Sequence, residues 1–96
     1  MNPKVDYLAN EFKIACAIYK IQYIDRNLDN VTLKVIHKEV KPMLFTLDVT
    51  RVLLKTLTDW GLVRLELNKS NMERVFRINI ESLQSIKEIY NNYYKD

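Results

Sequence analysis

The run Leu44-Phe45-Thr46-Leu47-Asp48-Val49-Thr50-Arg51-Val52-Leu53-Leu54-Lys55-Thr56-Leu57-Thr58-Asp59-Trp60-Gly61-Leu62-Val63 decides the fold. Leu47, Leu53, Leu54, Leu57 and Trp60 recur at spacings of three and four, which stacks them on one side of an α-helix facing a core. Thr46 is placed to cap this helix through its hydroxyl, and Asp48 complements the positive end of its dipole. Gly61, the only glycine of the chain, supplies the left-handed residue beyond the last turn. Leu62 to Leu67 then alternates apolar and polar residues at strand period, so the helix leads directly into a β-hairpin. Away from the core the helix presents Asp48, Arg51, Val52, Lys55 and Thr56, a set able to read a DNA groove.

In the hairpin, Val63, Leu65 and Leu67 share one strand face and Phe76, Ile78 and Ile80 another. Pairing Leu65 with Phe76 sets all six against the core. Arg64, Glu66, Val75 and Arg77 then look outward, with Lys69 to Met72 as the turn. Upstream, Thr32 caps a helix that reaches about Val40, with Leu33, Ile36 and Val40 inward and Lys34, Lys38 and Lys41 outward. Pro42 ends it.

A helix closing on Leu-Thr-Asp-Trp-Gly-Leu-Val and followed by a strand resembles the recognition helix and first wing strand of winged helix-turn-helix proteins. The small MarR-like and ArsR-like regulators common in archaea look closest. The resemblance spans residues 31 to 80 and rests on Leu54, Leu57, Gly61, Leu62 and Val63. It implies an α+β, mainly α fold with a two-stranded β-hairpin wing between long N- and C-terminal helices. It also implies a DNA-binding transcriptional regulator acting as a homodimer on double-stranded DNA. Arg51, Val52 and Lys55 would meet the groove, and Lys34, Lys38, Arg64, Lys69 and Arg77 would contact phosphate. One departure is the connector from Lys41 to Leu47, which is longer than the turn of the compact motif and lacks its glycine.

The terminal segments carry more apolar surface than such a core needs. Asn2 caps and Pro3 opens a first helix expected to reach about Arg26. Leu8, Phe12, Ala15, Tyr19 and Tyr23 form one stripe, and Ile14, Ile18, Ile21 and Leu28 another. At 1.5 Å per residue, about 24 residues extend roughly 36 Å, long enough to leave one stripe for a partner. From Glu81 to about Tyr94 a last helix carries Leu83, Ile86, Ile89, Tyr90 and Tyr93. A homodimer seam of Ile14, Ile18, Ile21, Ile86, Ile89, Tyr90 and Tyr93 follows, packing of the same helices within one monomer being the alternative.

Ninety-six residues suit a single domain: an N-terminal helix over 1–30, the helix-turn-helix over 31–61, the wing over 62–80 and a dimerisation helix over 81–96. No stretch is long or apolar enough to span a bilayer and the N-terminus lacks a signal-peptide pattern, so a cytoplasmic protein is expected. Net charge is +3, and residues 31 to 77 hold nine basic against five acidic side chains, so the surplus lies in the module that would meet phosphate. The lone Cys16 reads as a buried hydrophobe and the lone His37 as a helix-packing residue. Catalysis, a metal and a cofactor are not expected, because one glycine cannot build a phosphate-cradling loop and no ligand spacing appears. The alternative function is a winged-helix protein-interaction module in a replication or transcription assembly, suggested by the apolar Val49 and Val52 on the third helix.

Overall fold

Helix α1 (Asn10–Tyr19) is the axis around which the other elements pack. In a computed structural model, which describes residues 2–96, Ile14 through Tyr19 are all buried. They are enclosed by α2 (Leu33–Val40), α3 (Leu47–Asp59), α4 (Ile80–Ile89) and a hairpin of β1 (Val63–Asn68) and β2 (Glu73–Ile78). The result is mainly helical α+β with one two-stranded antiparallel sheet. Cys16 sits fully buried in this core, where the lack of water pushes its thiol pKa up to about 12.

The first helix is not continuous. Pro3–Tyr7 is a 3-10 turn capped by Asn2, Leu8 and Ala9 are extended, and α1 continues into one π-helical turn, Lys20–Ile24. The break lets Val5 bury where the first turn packs against the C-terminal π-turn, Tyr90–Tyr94. The π-turn, closed by Asp25 N–H donating to Lys20 O at 2.8 Å, adds a residue to the turn and brings Ile21 and Gln22 both inward.

This geometry corrects the expected dimer seam. Ile14, Ile18, Ile21, Ile86 and Tyr90 are core residues of one chain, and Ile89 packs against them half-buried. Only Tyr93 of that set is exposed. Most of both stripes is consumed internally, because α2, α3 and α4 all pack against α1, whereas Leu28 falls in a separate turn and stays exposed. The tyrosines likewise meet within the chain: Tyr23, Tyr19, Tyr90 and Tyr94 form a ladder with ring centroids 5.2, 4.9 and 5.6 Å apart.

α2 and α3 form as their caps dictate, with Thr32 Oγ accepting from Val35 N–H and Thr46 Oγ from Val49 N–H. Between them Leu44 takes the left-handed conformation (φ 67°) that a glycine would normally fill, and turns Phe45 inward. In α3, Leu53, Leu54 and Leu57 are buried as the spacing requires, but Leu47 and Trp60 are exposed. Trp60 lies past the last helical residue, and the inward position is taken by Thr50, whose hydroxyl donates to Thr46 O at 2.8 Å and so buries without penalty. Gly61 (φ 78°) closes the helix, with Leu62 N–H reaching back to Leu57 O at 3.0 Å.

The hairpin has the expected register, Leu65 opposite Phe76. Its burial is different: Val63 and Ile78 at the base are buried and Phe76 partly so, whereas Leu65, Leu67 and Ile80 are exposed. Only the base of the hairpin reaches the helices, and Ile80 has already left the strand for α4. Val75, expected outside, is buried. Asn68 shares its face and donates to Asp29 at 3.4 Å, so the Leu28–Asn30 turn lies against that side. The outer edge of β2 is sealed as well: Phe76 N–H donates to Val31 O at 2.8 Å, and Ile78 N–H to the side-chain oxygen of buried Gln22 at 3.1 Å.

Two stability outcomes follow. Gln22→Leu strands the buried Ile78 N–H and lowers the unfolding free energy by about 1 to 3 kcal/mol in urea titrations. Leu44→Gly relieves an exposed left-handed residue and raises it by up to about 1 kcal/mol, whereas Gly61→Ala lowers it by about 1 to 2 kcal/mol.

Candidate nucleic-acid interface

Three elements converge beside the exposed side of α3. A cleft of about 240 Å³ runs between α3 and the hairpin, floored by Leu33, Leu54, Leu65 and Phe76 and rimmed by Arg51, Lys55, Thr58 and Asp59. Arg51, Val52 and Lys55, expected from the sequence to meet a groove, are all exposed. Each cation is held by a carboxylate of its own helix: Arg51 Nη1 lies 2.8 Å from Asp48 and Lys55 Nζ 2.9 Å from Asp59. The exposed side of α3 is thereby electrically balanced.

The remaining expected contacts divide between two sides of the molecule. Strand pairing puts Arg64 and Arg77 on the face with Val75, opposite the cleft. Arg64 Nε bonds Glu66 at 2.6 Å and its Nη1 reaches Ile78 O at 3.3 Å, while the Arg77 side chain is only 15% exposed. Neither is brought to α3. Lys38 lies on the other flank of α2, lining a depression with Ile21, Asp25 and Pro42. Lys34, next to the cleft residue Leu33, and Lys69 in the hairpin turn are exposed and have no ion pair among the described residues.

Sequence reasoning missed Arg74. It pairs with Leu67 on the cleft face, is exposed, and has no hydrogen-bond or ion-pair partner among the described residues. The signal was present, because the register that pairs Leu65 with Phe76 also pairs Leu67 with Arg74. Comparison of the chain with protein-family models, curated proteins and solved structures gave no match. No helix among the described residues is long and apolar enough to cross a membrane.

The tilt of α2, and with it the position of Lys34, is held by a polar clasp. Glu39 accepts from Lys20 Nζ at 2.9 Å and from the Tyr94 hydroxyl at 2.8 Å, and Lys20 also reaches Asp25 at 3.3 Å. His37, further round α2, places Nε2 3.2 Å from Phe45 O and ties the helix to the connector. The hydrogen bond to Glu39 holds the Lys20 ammonium above its usual range, and burial followed by the Glu39 bond does the same for Tyr94. Burial also raises Tyr90.

All three groups keep their protons to higher pH in the folded chain than in the unfolded one. Their stabilisation is therefore complete below about pH 10 and is lost as the pH rises through the folded-state values. Unfolding free energy measured across that range falls in the native protein, and Tyr94→Phe makes the fall shallower.

Proposed function

We propose that this chain is a DNA-binding protein of winged helix-turn-helix layout, with α2 and α3 as the helix pair and the hairpin as the wing. The observation that carries the reading is that the elements packed beside α3 bear exposed cations without an ion pair among the described residues, Lys34 on α2 and Lys69 and Arg74 on the hairpin, while α3 itself exposes Arg51 and Lys55. Phosphates lie on either side of a groove occupied by a helix, so flanking cations position the protein while α3 reads bases.

The pairing of Arg51 with Asp48 does not obstruct this role. An exposed pair three residues apart on a helix is worth about 0.3 to 0.5 kcal/mol, whereas a bidentate arginine contact to guanine discriminates by about 1 to 3 kcal/mol. The base contact wins, and Asp48 keeps Arg51 extended until DNA arrives. Transcriptional regulation by a homodimer completes the reading. With the isoleucines of the terminal segments buried, the pairing surface moves to Tyr7 and Tyr93, which are exposed and line one depression with Lys4 and Asn92.

Fluorescence anisotropy with duplex DNA at several salt concentrations tests the proposal. Affinity falls with salt at a log–log slope of about −0.9 per phosphate contact, and Lys34→Ala or Arg74→Ala each reduces that slope by about one contact. Arg64→Ala leaves it unchanged. Arg51→Ala loses about 1 to 3 kcal/mol of preference for a selected site over random DNA, while Asp48→Ala tightens binding. Absence of binding at low salt rejects the reading. Light scattering at twice the chain mass, reduced to one by Tyr93→Glu, tests the dimer.

A further inference from the structure

The two edges of the hairpin differ in what they meet. On β2 the outward N–H groups of Phe76 and Ile78 bond Val31 O and the Gln22 side chain. Phe76 faces Leu65 and Ile78 faces Val63, and two residues that face each other in this kind of antiparallel pair both turn their N–H and C=O away from the partner strand. The same alternation turns Leu67 outward. The N–H groups of Leu65 and Leu67 have no acceptor among the described residues, and both residues are exposed, at 43% and 51%. Such an edge is a template for another strand, and proteins commonly guard it with proline, lysine or a bulge. β1 has none of these: it reads Val-Arg-Leu-Glu-Leu-Asn, and its six residues pair with β2 in unbroken register.

The side chains select the strand that fits. Arg64 and Glu66 share the hairpin face opposite the cleft, with Arg64 Nε 2.6 Å from Glu66. When two β1 strands lie antiparallel with a two-fold axis between their Leu65 residues, each Arg64 stands opposite the Glu66 of the second copy. The neighbouring registers set Arg64 against Arg64 or Glu66 against Glu66. Opposite charges facing each other across strands stabilise and like charges repel, so one register is favoured over both neighbours. In it the two Arg64–Glu66 pairs close into a square of alternating charge. On the cleft face the same register sets Leu65 beside Leu65 and Leu67 beside Val63, which covers leucines that the helices of the chain do not reach.

We infer that the free edge of β1 pairs with β1 of a second copy of this chain, antiparallel about Leu65, and joins two hairpins into one four-stranded sheet. Leu65 N–H donates to Leu65 O of the second copy in both directions, and Leu67 N–H donates to Val63 O of the second copy. A contact between two six-residue strands is small beside the roughly 1,600 Å² of a standard interface, so the pairing forms at high protein concentration. It depends neither on DNA binding nor on the Tyr7 and Tyr93 surface, which lies on the terminal segments.

The test follows the 15N-labelled full chain in amide correlation spectra from micromolar to millimolar concentration. Concentration-dependent shifts centre on Leu65 and Leu67, whose amides gain protection from solvent exchange. Arg64→Glu and Glu66→Arg each set like charges opposite one another and weaken the pairing about tenfold. Mixing the two restores it, because every glutamate then faces an arginine: unlabelled Glu66→Arg added to labelled Arg64→Glu returns the β1 shifts, whereas unlabelled Arg64→Glu does not. A variant that had merely lost its fold is not rescued in this way. Tyr93→Glu keeps the β1 shifts, which separates this contact from the surface proposed above. Spectra that do not change with concentration, shifts centred elsewhere, loss of the β1 shifts in Tyr93→Glu, or mixed variants that pair no better than either alone overturn the inference.

Discussion

A two-stranded hairpin is marginal in water, and here its survival depends on what seals the outer edge of β2. The N–H groups of Phe76 and Ile78 point away from β1 and find Val31 O and the Gln22 side chain. Both partners come from the first third of the chain, so the hairpin is fastened to the segment that enters α2 and to the turn that leaves α1. The fastening sets the distance between hairpin and α3, and thus the width of the cleft. At the base of the hairpin, where β1 begins, Asn79 repeats the logic: its backbone N–H bonds Leu62 O at 3.0 Å and its side chain bonds Gly61 O at 2.6 Å. The hairpin is held to the end of α3 and the start of α4 by one residue, whose side chain is therefore not free to cap α4.

The apolar surplus of the terminal segments is resolved by breaking the helices. A straight helix from Pro3 to Arg26 would carry two offset stripes and leave one uncovered. Interrupted at Leu8 and Ala9 and underwound into a π-turn at Lys20–Ile24, the segment distributes its apolar side chains among α2, α3 and α4. A second π-turn at Tyr90–Tyr94 brings Tyr90 and Tyr94 into the ladder with Tyr19 and delivers the Tyr94 hydroxyl to Glu39. Tyrosine thus serves here at a boundary inside the molecule, apolar along the ring and hydrogen-bonded at the tip.

What the sequence announced and what it concealed differ by the range of the forces involved. Thr32, Thr46, Pro42 and Gly61 act on their immediate neighbours, so α2, α3 and the exit from α3 were legible, and the strand alternation fixed the pairing of Leu65 with Phe76. Burial was legible only where an element lies wholly on the core. The alternation that put Leu65 and Val63 on one face could not show that the helices reach only the base of that face. On the Val75 face, Asn68 bonds Asp29 of the Leu28–Asn30 turn, a contact between distant segments that no local pattern encodes. Gln22 was invisible for a similar reason: its value lies in an N–H group of a strand 56 residues away. At the candidate site, Arg51, Val52 and Lys55 were readable from helical spacing, whereas Arg64, Arg77 and Arg74 were sorted onto opposite faces only by the register.

Several faces of the hairpin are thus occupied within the chain. The outer edge of β2 is occupied by Val31 and Gln22, and the Val75 face is backed by the Leu28–Asn30 turn. The N-terminal turn is tied to the C-terminus through Asn2 Nδ2 donating to Lys95 O at 2.8 Å. The exposed side of α3, the Leu65 and Leu67 face of the hairpin and the cleft between them stay open. Apolar side chains are tolerated there because they are interrupted by the charged pairs Arg51–Asp48 and Lys55–Asp59, which keep the surface hydrated and the apolar patches small.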